Sequence, residues 1–218
     1  MLGNRNFDFA SFLLAVLPIL LAITVREVVR GYTARRWGDP TAEQQGRLTL
    51  NPLPHIDPLG TLIVPAASLL LTGFLFGWAK PTPIDPRNFS NPRLAWRWVA
   101  ASGPLSNLLV GFLWALALVF FPLMPAAYQE PFYQMAVYGV QINAVLFVLC
   151  ALPVLPWDGG VFVDSFLNAR HSASFRRTAP YGTWIALILM FAGAFQGLIA
   201  HVGLLMMWLA QTLVGWAF

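Results

Sequence analysis

The stretch F-A-S-F-L-L-A-V-L-P-I-L-L-A-I-T-V, Phe9 to Val25, carries no charge and runs straight into R-E-V-V-R-G-Y, Arg26 to Tyr32. A span of about 20 apolar residues crosses a bilayer as a helix, because a helix satisfies its own backbone in lipid. Phe9–Val25 approaches that length. Its pattern continues helically through Arg36 until Gly38-Asp39-Pro40 stops it. Arg26, Glu27 and Arg30 therefore sit at the end of a membrane helix, where charge is costly and calls for a reason.

The rest of the chain agrees with a membrane setting. Its 218 residues are 58% hydrophobic and 10% charged, against about 45–50% and about 25% in a soluble domain. One integral-membrane domain over 1–218 is the simplest organisation. Nine Trp and 17 Phe suit a lipid-facing surface with interfacial anchors. Cys150 is the one cysteine, so no internal disulfide forms. The net charge of +4 is mostly loop arginine and reads as orientation, with no basic tail for nucleic acid. The first apolar run lacks a basic leader and a small-residue cleavage site, which reads as a retained anchor.

Further apolar runs cover Leu59–Trp78, Trp98–Phe121, Phe132–Leu155 and Tyr181–Phe218. The fold class is thus an all-α polytopic membrane protein with about four to six membrane segments. The polar stretch Gly46–Pro58 alternates Leu and Thr, predicting a short β-like strand near 46–56. Lys80–Arg97 reads as a proline-punctuated loop. The basic loops 26–58, 79–97 and 156–180 contrast with loop 122–131, which holds no Lys or Arg. If every run crossed, the first two basic loops would lie on opposite faces, against the positive-inside bias. Residues 59–78 are therefore expected to be re-entrant or broken, with the N-terminus outside and the basic loops cytoplasmic. The end of the first helix then meets the region of Asp158 at one depth.

Arg26, Glu27 and Arg30 have the spacing of the zinc-protease motif H-E-x-x-H, with arginine in place of each histidine. Beyond this, R-E-V-V-R-G-Y-T-A-R-R-W-G-D-P-T-A resembles H-E-x-x-H-G-Y-x-A-x-x-x-G-D-x-T-A of the site-2 protease family, the intramembrane zinc metalloproteases. G-R-L-T-L-N-P-L-P-H-I-D-P-L-G-T, F-G-W-A-K-P-T-P-I, S-G-P-L-S-N and L-P-V-L-P-W-D-G-G resemble further segments of its short bacterial members, in the same order. The resemblance covers about residues 10 to 200. It implies zinc as the family cofactor and Glu27 at the general-base position. It also implies a metal-ligand position at Asp158, a substrate-backbone contact at Asn143, and residence in a bacterial inner membrane. The bilayer and a transmembrane or extended peptide are the partners it implies.

The histidine positions hold Arg26 and Arg30, the asparagine usual before the last motif is Cys150, and the leucine before the aspartate is Trp157. A zinc ligand offers a lone pair, and a guanidinium has none. Asp158 and Glu27 alone are too few for a three-ligand catalytic zinc. His55, His171 and His201 pair at i, i+4 with no other ligand. The expectation is a non-catalytic pseudoprotease with a salt-bridged cluster of Arg26, Arg30, Glu27 and Asp158 where the metal would be. The alternative is an active intramembrane metalloprotease with unexpected ligands or introduced substitutions. A transport component is a weaker third reading, resting on charge within helices alone. On composition alone, Arg26 and Arg30 read as snorkelling side chains, and Asn143 reads equally as a hydrogen-bonding link between helices.

Overall fold

The computed structural model describes residues 9–64 and 79–217. The helices are α1 (Phe9–Arg36), α2 (Thr41–Gln44), α3 (Pro92–Val119), α4 (Ala126–Cys150), α5 (Asp158–Asp164), α6 (Ala169–Arg176), α7 (Ala179–Phe191) and α8 (Gln196–Ala217). Four of them, α1, α3, α4 and α8, are long and apolar enough to cross a bilayer, and α7 is a shorter apolar helix. The protein is an all-α polytopic membrane protein.

The central helix is α3, which packs against α1, α4, α5 and α8, while α1 and α8 also contact α4. One core joins Ala115 of α3, Val140, Ala144 and Val148 of α4, and Val202, Met206 and Ala210 of α8. Small residues bring these helices together. A Cβ on Gly111 would lie 2.6 Å from the Met206 sulfur. A second core joins the end of α1 to the start of α3 through Ala34, Phe89, Ala95 and Val99. Faces left open are apolar at helical spacing, as with Leu13, Leu17 and Leu21 on α1 and Leu105, Leu109 and Leu113 on α3. In a bilayer such stripes meet lipid tails at no desolvation cost.

The first helix ends as its sequence predicts. Gly38 adopts φ +105°, and the Asp39 N–H donates to the Ala34 carbonyl at 3.0 Å. Buried Asp39 then gathers the next loops. It accepts from the Thr41 N–H at 3.1 Å, the Asn88 amide at 2.9 Å and the Asp85 N–H at 2.8 Å. Burial pushes the Asp39 carboxyl up, but these donors outweigh burial and hold it below the ordinary value.

Two expectations are corrected. No strand forms over 46–56; a 3-10 turn occupies Leu53–His55. Pro52 and Pro54 lack N–H donors, and local acceptors serve several of their neighbours. The Leu53 N–H donates to the Asn51 side chain and the His55 N–H to the Pro52 carbonyl. The loop expected over Lys80–Arg97 also ends early. Helix α3 starts at Pro92, capped by Asn91, whose side chain accepts from the Leu94 N–H at 3.2 Å. Most of the re-entrant segment expected over 59–78 lies outside the described residues. Its first turn, Pro58–Ile63, is π-helical and capped by Asp57.

Candidate active site

The four charged residues meet where the second half of α1 faces α3 and Asp158 of α5. Arg26 and Arg30 lie one turn apart on α1. Asp158 opens α5 directly after the L-P-V-L-P-W turn, and the D-G-G motif explains how that helix gets so close. A Cβ on Gly159 would stand 2.2 Å from the Ala151 carbonyl oxygen, and one on Gly160 would stand 2.4 Å from the Leu155 nitrogen. Only glycine lets these backbones touch. Gly103 of S-G-P-L-S-N forms the α3 wall, 3.0 Å by its notional Cβ from the nearer Asp158 oxygen and 3.2 Å from Arg30.

Within this niche the Arg26 guanidinium bridges both carboxylates. One terminal nitrogen donates to Glu27 Oε1 and the other to Asp158 Oδ2. Arg30 Nη1 lies 3.2 Å from Asp158 Oδ1. Glu27 is 1% exposed and Asp158 4%, so neither carboxylate is charged in open solvent. Such buried charges persist only when paired.

Thr82 and Arg47 complete the surroundings of Glu27. The Thr82 N–H donates to Glu27 Oε2 at 2.7 Å, and its hydroxyl donates to the Glu27 carbonyl at 2.8 Å. Both Glu27 carboxylate oxygens are therefore engaged. Arg47 is buried and within electrostatic reach of Glu27. Burial pushes the Arg47 guanidinium below its ordinary value, and Glu27 partly restores it. Arg47 Nη2 donates to the Lys80 carbonyl at 2.7 Å, while the Lys80 N–H donates to the His55 carbonyl at 2.9 Å. The K-P-T-P segment is thus pinned from both sides before it reaches Glu27. Thr82, Arg47 and Gly103 were not singled out as site residues by the sequence. Thr82 carried a faint signal, a lone hydroxyl between two prolines that fix an extended backbone.

Cys150, at the end of α4, is buried and within electrostatic reach of Arg26, Asp158, Arg30 and Glu27. Asn143 lies elsewhere on α4 and is fully buried. Its amide nitrogen donates to the Gly139 carbonyl at 2.8 Å, and its oxygen accepts from Asn107 of α3 at 3.1 Å. His55 is buried, with Nε2 3.0 Å from the Thr49 carbonyl. His171 and His201 are exposed on α6 and α8.

The residues present do not fit a catalytic zinc. Glu27 and Asp158 are the carboxylates facing the niche, Cys150 is within electrostatic reach of them, and the family's histidine positions carry guanidinium groups that cannot coordinate. Among the described residues, no three or more His, Cys, Asp and Glu side chains are gathered to hold a metal.

An E-x-x-R turn and a D-G-G aspartate thus meet within a polytopic helical bundle. The chain is 36% identical over 178 residues to the Bacillus subtilis protein named "Putative zinc metalloprotease YwhC", covering 80% of this chain and 78% of that one. It is 26% identical over 188 residues to "Putative zinc metalloprotease Rip2" of Mycolicibacterium smegmatis, covering 84% and 68%. No protein-family model and no solved structure matches. The chain belongs to the site-2 protease-like zinc metalloprotease family.

Proposed function

We propose that this protein is a non-catalytic member of its family. It is a single integral-membrane domain of a bacterial inner membrane, with its basic loops cytoplasmic, that binds transmembrane or extended peptide segments without cutting them. The observation that carries this reading is the Arg26 guanidinium seated between Glu27 and Asp158. Zinc would bring two positive charges to these carboxylates, and Arg26 and Arg30 bring the same two.

The chemistry follows from that substitution. Metal-assisted hydrolysis needs a cation that both acidifies water and leaves a coordination position open. Guanidinium groups provide neither. Glu27, at the family's general-base position, has one oxygen on Arg26 and the other on Thr82. A general base needs an oxygen within reach of the proton it removes. Asp158, at the family's ligand position, is held by both arginines. Asn143, at the substrate-contact position, serves in this reading as a link between α3 and α4.

The competing reading is an active intramembrane zinc metalloprotease. Retention of Glu27 and Asp158 side by side favours it. Cleavage of a transmembrane reporter separates the two. The proposal expects no cleavage above that of Glu27→Gln. Cleavage that Glu27→Gln abolishes would overturn it.

A further inference from the structure

The niche does not balance its charges. Arg26, Arg30 and Arg47 supply three positive charges, whereas Glu27 and Asp158 supply two negative ones. Arg47 has no carboxylate within ion-pair distance among the described residues, and Glu27 is the charged group it senses. Arg30, although paired with Asp158, is short of hydrogen-bond partners. Its guanidinium offers five N–H donors, yet its polar contact is the 3.2 Å ion pair to Asp158, without a hydrogen bond of good geometry among the described residues. Arg30 Nε is buried and unpartnered, as are Nε of Arg26 and Nε of Arg47. Unmade hydrogen bonds at buried donors are costly, and a planar guanidinium matches a carboxylate with two parallel bonds. The Arg30 side chain keeps 17% of its surface open, although its Nε is buried.

We propose that Arg30 is a docking point for one carboxylate, that of a small acid or of a peptide's C-terminus or acidic side chain. A carboxylate carries the single negative charge that the niche lacks. A phosphate monoester, at about −1.5 to −2, overshoots it. The inference rests on the non-catalytic reading, because a bound divalent metal would change the balance.

The test uses the full-length protein in an uncharged detergent, unfolded thermally in acetate or in acetamide at constant ionic strength. Acetate raises Tm by about 2–4 °C and acetamide does not. Arg30→Gln removes the acetate response, Arg30→Lys retains a smaller one, and Arg36→Gln, an exposed arginine at the end of the same helix, leaves it intact. A second arm compares a short peptide with a free C-terminal carboxylate against its C-terminal amide. A response to the free acid well below the acetate concentration identifies a peptide source, and parity with acetate identifies a small acid. Equal shifts with acetamide, no shift with acetate, or a shift unchanged in both Arg30 variants would overturn the proposal. Zinc content of the same preparation separates the failures. Stoichiometric zinc refutes the non-catalytic reading. Absence of both zinc and a carboxylate response refutes this inference alone.

Discussion

Two residues decide what this site does. In the non-catalytic reading, Arg26 and Arg30 keep the face, spacing and charge total of a metal site and remove its lone pairs. If Arg26 bridges Glu27 and Asp158, removing one acid leaves a buried cation without its partner. Asp158→Ala should then cost about 3–5 kcal/mol of stability, measured by chemical denaturation in detergent; an unchanged midpoint would contradict the cluster. Glycine tests the same geometry sterically. Gly159→Ala places a Cβ against the Ala151 backbone, which cannot yield, and should cost about 1–3 kcal/mol. Gly103→Ala meets side-chain atoms at 3.0 Å and beyond, so it should cost less. The reverse order would mean that α5 does not approach its preceding loop this closely.

The loop elements are organised by Asp39. Its carboxyl is held below its ordinary value in the folded protein, by donors that outweigh burial. A lowered folded pKa contributes stability above the unfolded value of about 3.9, and that stability is lost as pH falls through the folded value. Stability should therefore fall on acidification below about pH 4, and Asp39→Asn should flatten that part of the profile. An unchanged profile in Asp39→Asn would contradict this. Elements also show where the sequence was legible. The end of α1 was readable because Gly38-Asp39-Pro40 acts locally. The strand near 46–56 was misread because Leu-Thr alternation mimics a strand, while Pro52 and Pro54 and side-chain acceptors favour turns. The start of α3 was placed late because Arg93 and Arg97 look like loop charges, although Asn91-Pro92 is a cap and first-turn signal.

At the scale of the whole molecule, the site is a product of topology. Glu27 and Asp158 stand 131 positions apart, yet Arg26 touches both. Their pairing was legible because charges at the ends of two apolar spans had to meet something. Arg47 and Thr82 were not legible as site members, because their roles arise from loops folding back across α1, and Gly103 was not, because its role is a close approach between α3 and the charged side chains. The same topology predicts that tags at the N-terminus and in loop 79–97 label from opposite sides of the membrane. Finding both on one face would contradict the predicted course of 59–78. In the proposed reading, arginine has taken the place of the metal. The most direct measurement of this is the zinc content of purified wild-type protein beside the Arg26→His, Arg30→His double variant. The wild type should hold no zinc and the double variant about one equivalent, where two imidazoles join Asp158. Stoichiometric zinc in the wild type, lost on Asp158→Ala, would contradict it.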